Sequence, residues 1–428
     1  MSLAHVFLAC SVVGSLFTLN AYRPVRLELV SLPAFFAGWL TSELPLHHLV
    51  WEAAATVAFM AGGALDAPAG VIGLGITLAS WAGLVGLAVQ SSRSRAVLEE
   101  ALREALGPDY RTRMAPGLVA EGDRRDWRRL VLPWLTFVRP APDVEKVRDI
   151  DYAGDGRRVH RLDLYRARTH PSGCPVFVYI HGGGWVVGDK REQGVPLMLH
   201  LAARGWVAVT VNYRLSPRAT FPDHIVDVKR ALAWVADNVA QYGGDANFVV
   251  VSGGSAGGHL SALAALSPND PEYQPGFEDA DTSVAACVPF YGVYDFTNRQ
   301  GVRGEGMGRY LLERMVMKVP MAADRQAWEK ASPMDRVTEA APPFFVVHGT
   351  NDTLVPVDEA RHFVDLLRRC SRSPVAYAEL PGAQHAFEIF PSIRTLHTVR
   401  AVERFLATVY GEWWASRPQA AGEMPRWQ

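Results

Sequence analysis

Val249-Val250-Val251-Ser252-Gly253-Gly254-Ser255-Ala256-Gly257-Gly258-His259 joins an apolar, β-branched run to a cluster of small residues, and a helix-forming stretch, Leu260 to Leu266, follows at once. This order predicts a buried strand, a very tight turn and a helix, with Ser255 on the turn. Gly253-x-Ser255-x-Gly257 fits a nucleophile elbow, which holds a serine hydroxyl out from the end of a sheet. Such a turn needs backbone angles that ordinary residues resist. Glycines on either side let strand and helix close around it. Alone, the pentapeptide is equally a glycine-rich turn that happens to hold a serine, so its meaning rests on its surroundings.

Upstream, Val176-Phe177-Val178-Tyr179-Ile180 is a continuous apolar run, as expected of a strand buried on both faces. It ends in His181-Gly182-Gly183-Gly184-Trp185. Three glycines there leave backbone N–H groups open and let a ligand come close, which is what an oxyanion loop requires. Trp206 to Tyr213 reads as the next strand, and Pro222 to Tyr242 as a helix with Ile225, Val228, Ala231, Leu232 and Val235 on its apolar face. Downstream, Val284–Pro289, Phe344–His348 and Val375–Leu380 read as strands, with helices running to about Cys370 and over Thr395–Tyr410. Val147–Tyr152 and Val159–Tyr165 alternate like antiparallel edge strands. Residues 296–340 lack strand signals and read as an irregular or helical cap. The alternation of strand and helix predicts an α/β fold with a mostly parallel central sheet and helices on both faces.

A serine is a weak nucleophile at neutral pH and needs a base, which in turn needs an orienting carboxylate. In this architecture they follow in the order serine, acid, histidine, on loops after successive strands. His385, in Pro381-Gly382-Ala383-Gln384-His385 just past the last strand, is the natural base. His259 lies one turn along the elbow helix and is expected to point away. His348 ends a strand and reads as a packed core residue, and His362 and His397 fall within helices. Asp352 follows the preceding strand and is the favoured acid. Asp295, one strand earlier, is the runner-up, and Asp358 and Glu359 lie on the following helix.

Together His181-Gly182-Gly183-Gly184-Trp185, Tyr213-Arg214-Leu215-Ser216-Pro217, Gly253-Gly254-Ser255-Ala256-Gly257, Asp352 and His385 resemble the hormone-sensitive-lipase-like branch of the α/β-hydrolases. The likeness covers roughly residues 145–410 and looks closest to actinobacterial esterases and lipases with an apolar N-terminal extension. It implies a serine carboxylesterase with a cap over its site and no metal or organic cofactor. It also implies oxyanion donors on the backbone of Gly183, Gly184 and Ala256. Trp185 stands where the family often has Phe, and Ser216 where it often has Ala, so acyl-chain preference does not carry over. An amidase such as a formamidase would use the same machinery, and a catalytically inactive binding module is the alternative from a different class.

The remaining features bound the reading. With a net charge of −1, nothing in the global balance points to nucleic acid or to an acidic partner. Cys10, Cys174, Cys287 and Cys370 are widely spaced, without a CxxC or Cys/His pattern, and read as small apolar core residues.

Composition changes sharply near residue 90. Before it the only Lys or Arg are Arg23 and Arg26, and the acids are Glu28, Glu43, Glu52 and Asp66. Ala69–Gln90 is uncharged and as a helix would rise about 33 Å, enough to cross a bilayer core. Gly75, Ala79 and Gly83 give it a small-residue face. Leu3–Leu19 and Leu49–Leu65 are further candidate spans, with Glu52 near one end of the latter and able to reach the interface. Residues 29–40, interrupted by Pro33, read as interfacial or re-entrant. Arg23, Arg26, Arg93 and Arg95 flank the first and last candidates. By the positive-inside rule they fit three spans with the N-terminus outside and the rest in the cytoplasm. A cleaved signal peptide is the rival for residues 1–21, though it lacks a positive leading region. Residues 91–144 are dense in charge (Arg93, Arg95, Glu99, Glu100, Arg103, Glu104, Arg124, Arg125, Asp126, Arg128, Arg129) and read as a linker or lid. Within them Ser94–Leu106 is an amphipathic helix ended by Gly107-Pro108.

Overall fold

Eight strands form a single sheet in the computed structural model, which describes residues 2–26, 30–119, 130–132, 141–304 and 308–417. They are β1 (Val144–Asp151), β2 (Arg161–Ala167), β3 (Cys174–Ile180), β4 (Val207–Val211), β5 (Gly244–Gly254), β6 (Ala286–Phe290), β7 (Phe344–Gly349) and β8 (Val375–Leu380), in the spatial order β1-β2-β4-β3-β5-β6-β7-β8. β2 pairs antiparallel with both β1 and β4, and every later pairing is parallel. Every residue of β3, β4, β6 and β7 is buried, which is why these strands read as unbroken apolar runs. The result is the expected α/β-hydrolase sheet.

Among the described residues, α1 (Leu3–Tyr22), α2 (Ser31–Glu43), α3 (Pro45–Ala61) and α4 (Pro68–Leu106) precede the sheet. It is accompanied by α5 (Val195–Ala202), α6 (Asp223–Asn238), α7 (Ala256–Leu266), α8 (Arg325–Ala331), α9 (Val357–Cys370) and α10 (Ile393–Ala415). The expected cap, residues 296–340, contributes α8 and a π-helical segment, Tyr310–Met317.

The change of composition at residue 90 does not break the chain. α4 continues straight through it, so the helix expected to begin at Ser94 begins at Pro68. Its end at Gly107 is as expected. Leu98, Leu102 and Leu106 belong to the same apolar core as the sheet. Glu99 accepts from Arg111 and Arg404, both at 2.9 Å, and from the Tyr110 hydroxyl at 3.0 Å. The second half of α4 is therefore a packed part of the hydrolase rather than a solvated linker. Glu28, Arg124, Arg125, Asp126, Arg128 and Arg129 lie outside the described residues, as do residues 120–129 as a whole.

α1 and α4 run parallel. Ser11 is hydrogen-bonded to Thr77, Thr18 to Ser80, and the Tyr22 hydroxyl donates to the Gly83 carbonyl. α3 runs the other way, with Glu52 beside Gly14 and Gly62 beside Leu3. Close approach to α1 occurs at Gly73 and Gly83, whereas Gly75, expected on the same packing face, has open space beside it. Glu52 does not reach outward; its Oε2 accepts from Trp81 Nε1 at 3.1 Å within the bundle. α1 and α4 are long and apolar enough to cross a membrane. The 17-residue α3 is at the lower limit of about 17 residues for a span. Leu16, Phe17, Leu19, Trp51, Val57, Val71, Ile72, Leu78 and Val89 are exposed on this bundle, an apolar surface that water would not favour. Of the four cysteines, Cys174 and Cys287 are buried as expected, but Cys10 and Cys370 are exposed.

Candidate active site

The end of β5 has the strained geometry that the glycine pattern predicts. Ser255 sits at φ 57° and ψ −120° between β5 and α7, a conformation that an L-residue holds only where its surroundings impose it. A Cβ on Gly257 would lie 2.0 Å from the Ile180 carbonyl oxygen, and one on Gly253 would lie 2.5 Å from Gly257 itself. Both glycines are therefore required for β3, β5 and α7 to meet. The Ser255 N–H donates to the Phe290 carbonyl at 3.0 Å, tying the elbow to the end of β6.

Beside it lies the loop after β3. Gly183 has φ 109° and Gly184 φ 60°, so the chain doubles back on itself. The Gly182 N–H is taken by Gln193 Oε1 at 2.7 Å. The N–H groups of Gly183, Gly184 and Ala256, the expected oxyanion donors, have no acceptor among the described residues. The Tyr213 stretch braces this loop from behind. The Tyr213 hydroxyl donates to the His181 carbonyl at 3.0 Å, its ring stacks on His181 with centroids 4.5 Å apart, and the Ser216 N–H donates to the Trp185 carbonyl at 2.8 Å. Burial pushes the His181 imidazole down to about 4, so it is neutral.

His385 and Asp352 come together as expected. His385 Nδ1 donates to Asp352 Oδ2 at 2.7 Å, with both side chains buried. The other carboxylate oxygen of Asp352 accepts from the N–H groups of Leu354 and Val355 at 2.9 and 2.8 Å. Burial alone would raise the Asp352 carboxyl, but His385 and His348 hold it well below the usual carboxylate range. Gln384 links the two loops, its Oε1 accepting from the N–H groups of both Thr353 and His385. Tyr291 packs between elbow and base. A Cβ on Gly254 would lie 2.5 Å from its hydroxyl, and its ring centroid is 4.5 Å from that of His385. Below it Glu388 accepts from the hydroxyls of Tyr291 and Tyr179, with burial pushing its carboxyl up.

The runner-up acid is occupied elsewhere. Asp295 Oδ1 accepts from the Thr297 N–H and hydroxyl, and Oδ2 from the Arg299 N–H. Glu359 accepts from the N–H groups of Tyr294 and Asp295. Asp358 pairs with Arg361.

Two histidines do more than expected. His348 is buried, but its Nε2 lies 3.2 Å from Asp352 Oδ2 and 2.9 Å from the Val355 carbonyl, so it supports the acid loop. His259 does not point away. Its Nδ1 accepts from Trp185 Nε1 at 3.2 Å, its Nε2 lies 2.8 Å from the Ala331 carbonyl, and its ring stacks on Phe296. Burial lowers its imidazole to about 3. The spacing Gly253-x-Ser255…His259 offered a hint, since residues one turn into a helix face what precedes it.

The N-terminal segment also reaches this site. Trp39 Nε1 of α2 donates to the Ala386 carbonyl at 2.9 Å, and the Phe35 ring meets His385 edge-on with centroids 6.3 Å apart. Residues 29–40, expected to be interfacial or re-entrant, thus include part of a helix that covers the His385 loop.

Sequence comparison agrees with this architecture. A BD-FAE family model matches residues 162–367. A Mycobacterium tuberculosis protein named probable carboxylic ester hydrolase LipM is 46% identical over 422 residues, covering 98% of this chain and 96% of that protein. Esterase LipQ of the same organism is 40% identical over 382 residues, covering 88% and 84%. Among solved structures, a butyrate-bound thermophilic esterase, Est2 of Thermogutta terrifontis, is 25% identical with a TM-score of 0.52, covering 64% of this chain and 96% of that one. With a relative this similar along nearly its whole length, the chain belongs to the hormone-sensitive-lipase-like esterase/lipase family of α/β-hydrolases.

Proposed function

We propose that this protein is a membrane-attached serine ester hydrolase acting on short to medium acyl or lipid esters through Ser255, His385 and Asp352. The observation that carries the reading is the 2.7 Å hydrogen bond from His385 Nδ1 to a deeply buried Asp352. It fixes the imidazole with Nδ1 protonated and Nε2 free to accept. Ser255 Oγ attacks the ester carbonyl as Nε2 takes its proton, and Asp352 stabilises the imidazolium. The Gly183, Gly184 and Ala256 N–H groups receive the developing oxyanion, each contributing on the order of 2.7–4 kcal/mol. His385 then protonates the departing alcohol. Water, deprotonated by the same nitrogen, attacks the acyl-enzyme and releases the acid. No step calls on a metal or organic cofactor.

The length and apolar character of α1 and α4 support membrane attachment, with α3 returning between them. Since α1 and α4 run parallel toward the hydrolase, a membrane crossed by both would separate the Leu3 end of α1 from the sheet. Arg23, Arg26, Arg93 and Arg95 flank the hydrolase end of those helices, which favours a cytoplasmic hydrolase by the positive-inside rule. A C-terminal reporter that works only outside the cytoplasm should be inactive; activity would reverse the orientation. For the chemistry, Ser255→Ala should lower kcat by about 10⁶ and abolish labelling by a fluorophosphonate. Ordinary ester turnover by the purified variant would refute the nucleophile.

A further inference from the structure

Helix α2 has two apolar faces. Phe35 and Trp39, one turn apart, face the hydrolase. Phe35 is 5% exposed, and Trp39 stacks on it at 5.4 Å and lies 4.9 Å from Phe390. Leu32, Phe36 and Leu40, also one turn apart, point outward and are 48%, 49% and 38% exposed. A soluble cap would present polar residues on that side.

The helix is also held firmly. Glu43 at its end pairs with Arg394 of α10, and Ser392 donates to the same carboxylate. Its location is fixed at the hydrolase end of the α1–α3–α4 bundle. Asn20 of α1 donates to the Ala34 carbonyl at 2.7 Å, and Asn351, beside Asp352, donates to the carbonyl of Ala21 at 3.1 Å. Exposed apolar residues therefore do not stop where α1 ends: Val25, Val30, and Leu32, Phe36 and Leu40 of α2 follow Leu19 and Tyr22 along the chain. The opposite face of that same helix touches His385, about one helix diameter away.

We propose that α2 lies in the plane of the membrane interface and forms the threshold over which the active site takes its ester directly from the bilayer. Its outer face rests among acyl chains, while Phe35 forms the inner wall beside His385. The substrate class is an ester with a long lipophilic group. Its carbonyl reaches Ser255 while much of its chain stays in lipid. Each methylene kept out of water makes that transfer easier. This proposal rests on the serine-hydrolase reading and narrows its substrate.

The test uses the full chain reconstituted in phosphatidylcholine vesicles, with two probes: water-soluble p-nitrophenyl butyrate and a palmitoyl ester dissolved in the same vesicles. Leu32→Ser and, separately, Leu40→Ser alter the outward face at positions outside the Phe35–Phe36–Trp39 ring cluster, and Leu40→Met keeps its apolar character. Each serine variant should lower the rate on the embedded ester about tenfold and leave the butyrate rate within about twofold. Leu40→Met should keep most of the wild-type rate on the embedded ester. An unchanged ratio of the two rates in both serine variants would overturn the threshold, as would a wild-type enzyme that cleaves butyrate but never the embedded ester. If wild type cleaves neither probe, the serine-hydrolase reading itself has failed.

Discussion

Glu43, the last residue of α2, and Arg394, in the first turn of α10, form an ion pair at 2.7 Å with both side chains fully buried. Arg394 also donates to the carbonyls of Ser42 and Pro381, so one guanidinium joins the N-terminal segment, the loop that carries His385, and α10. Removing either partner strands a buried charge, at a cost of about 3–5 kcal/mol. Arg394→Met and Glu43→Gln should each shift urea unfolding by that order, and Glu43→Gln/Arg394→Met should recover part of the loss. Single variants within about 1 kcal/mol of wild type would show that the pair does not anchor α2.

His259 fastens Trp185, the residue after Gly183 and Gly184, to the helix after Ser255, because Trp185 Nε1 donates to its Nδ1. In His259→Phe both Trp185 Nε1 and the Ala331 carbonyl lose their partner, a loss of about 1–3 kcal/mol for each buried group. The looser Gly183–Gly184 loop should lower kcat by about ten- to a hundredfold with little change in KM, since the donors matter most in the transition state. A rise in KM at constant kcat would mean that His259 shapes the binding site instead.

Stability should fall in mild acid. Burial holds His181 and His224 at about 4 and His259 at about 3, against about 6.5 in the unfolded chain. Between about pH 6.5 and those folded values the unfolded state binds more protons than the native one. The stability from keeping these rings neutral is complete above that range and is lost as pH falls. Each contributes a slope of up to about 1.4 kcal/mol per pH unit. Asp352, with its depressed carboxyl, adds to the loss only below its unfolded value of about 3.9. Melting temperatures of the detergent-solubilised chain at pH 7 and pH 5 should differ clearly, and His224→Asn should reduce the difference. Equal values at both pH would remove these histidines as the cause.

Much of the hydrolase was legible because its signals are local. β3 and β7 are buried on both faces and so are apolar throughout; the loops at Gly182–Gly184 and Gly253–Gly257 carry glycines because a Cβ would collide with backbone. Ser255, Asp352 and His385 each follow a readable strand. What escaped depends on contacts between distant stretches. Nothing in the sequence near Phe35 announces His385, nor does Glu43 announce Arg394. Charge density changes near residue 90 and suggests a boundary there. Yet Leu98, Leu102 and Leu106 pack on the sheet, and the helix that carries them has no reason to stop. His259 turns inward, against expectation, because the direction of a side chain on the first turn of α7 depends on where the Trp185 loop crosses it.

The choice between Asp352 and Asp295 is open to a direct kinetic comparison. Asp352 accepts from His385, whereas Asp295 is engaged by Thr297 and Arg299 within its own turn. Asp352→Asn would keep the shape of the loop but could offer an amide N–H to Nδ1, favouring the tautomer with its proton on Nε2. That nitrogen could then no longer accept from Ser255, and kcat should fall by about 10⁴. Asp295→Asn should leave kcat within about tenfold, and its effect should fall mainly on stability, through the lost pairing with Arg299. Raising the pH should partly restore Asp352→Asn, as hydroxide takes over the role of base, and should do little for Asp295→Asn. A large kcat loss in Asp295→Asn beside a mild one in Asp352→Asn would reverse the assignment of the acid.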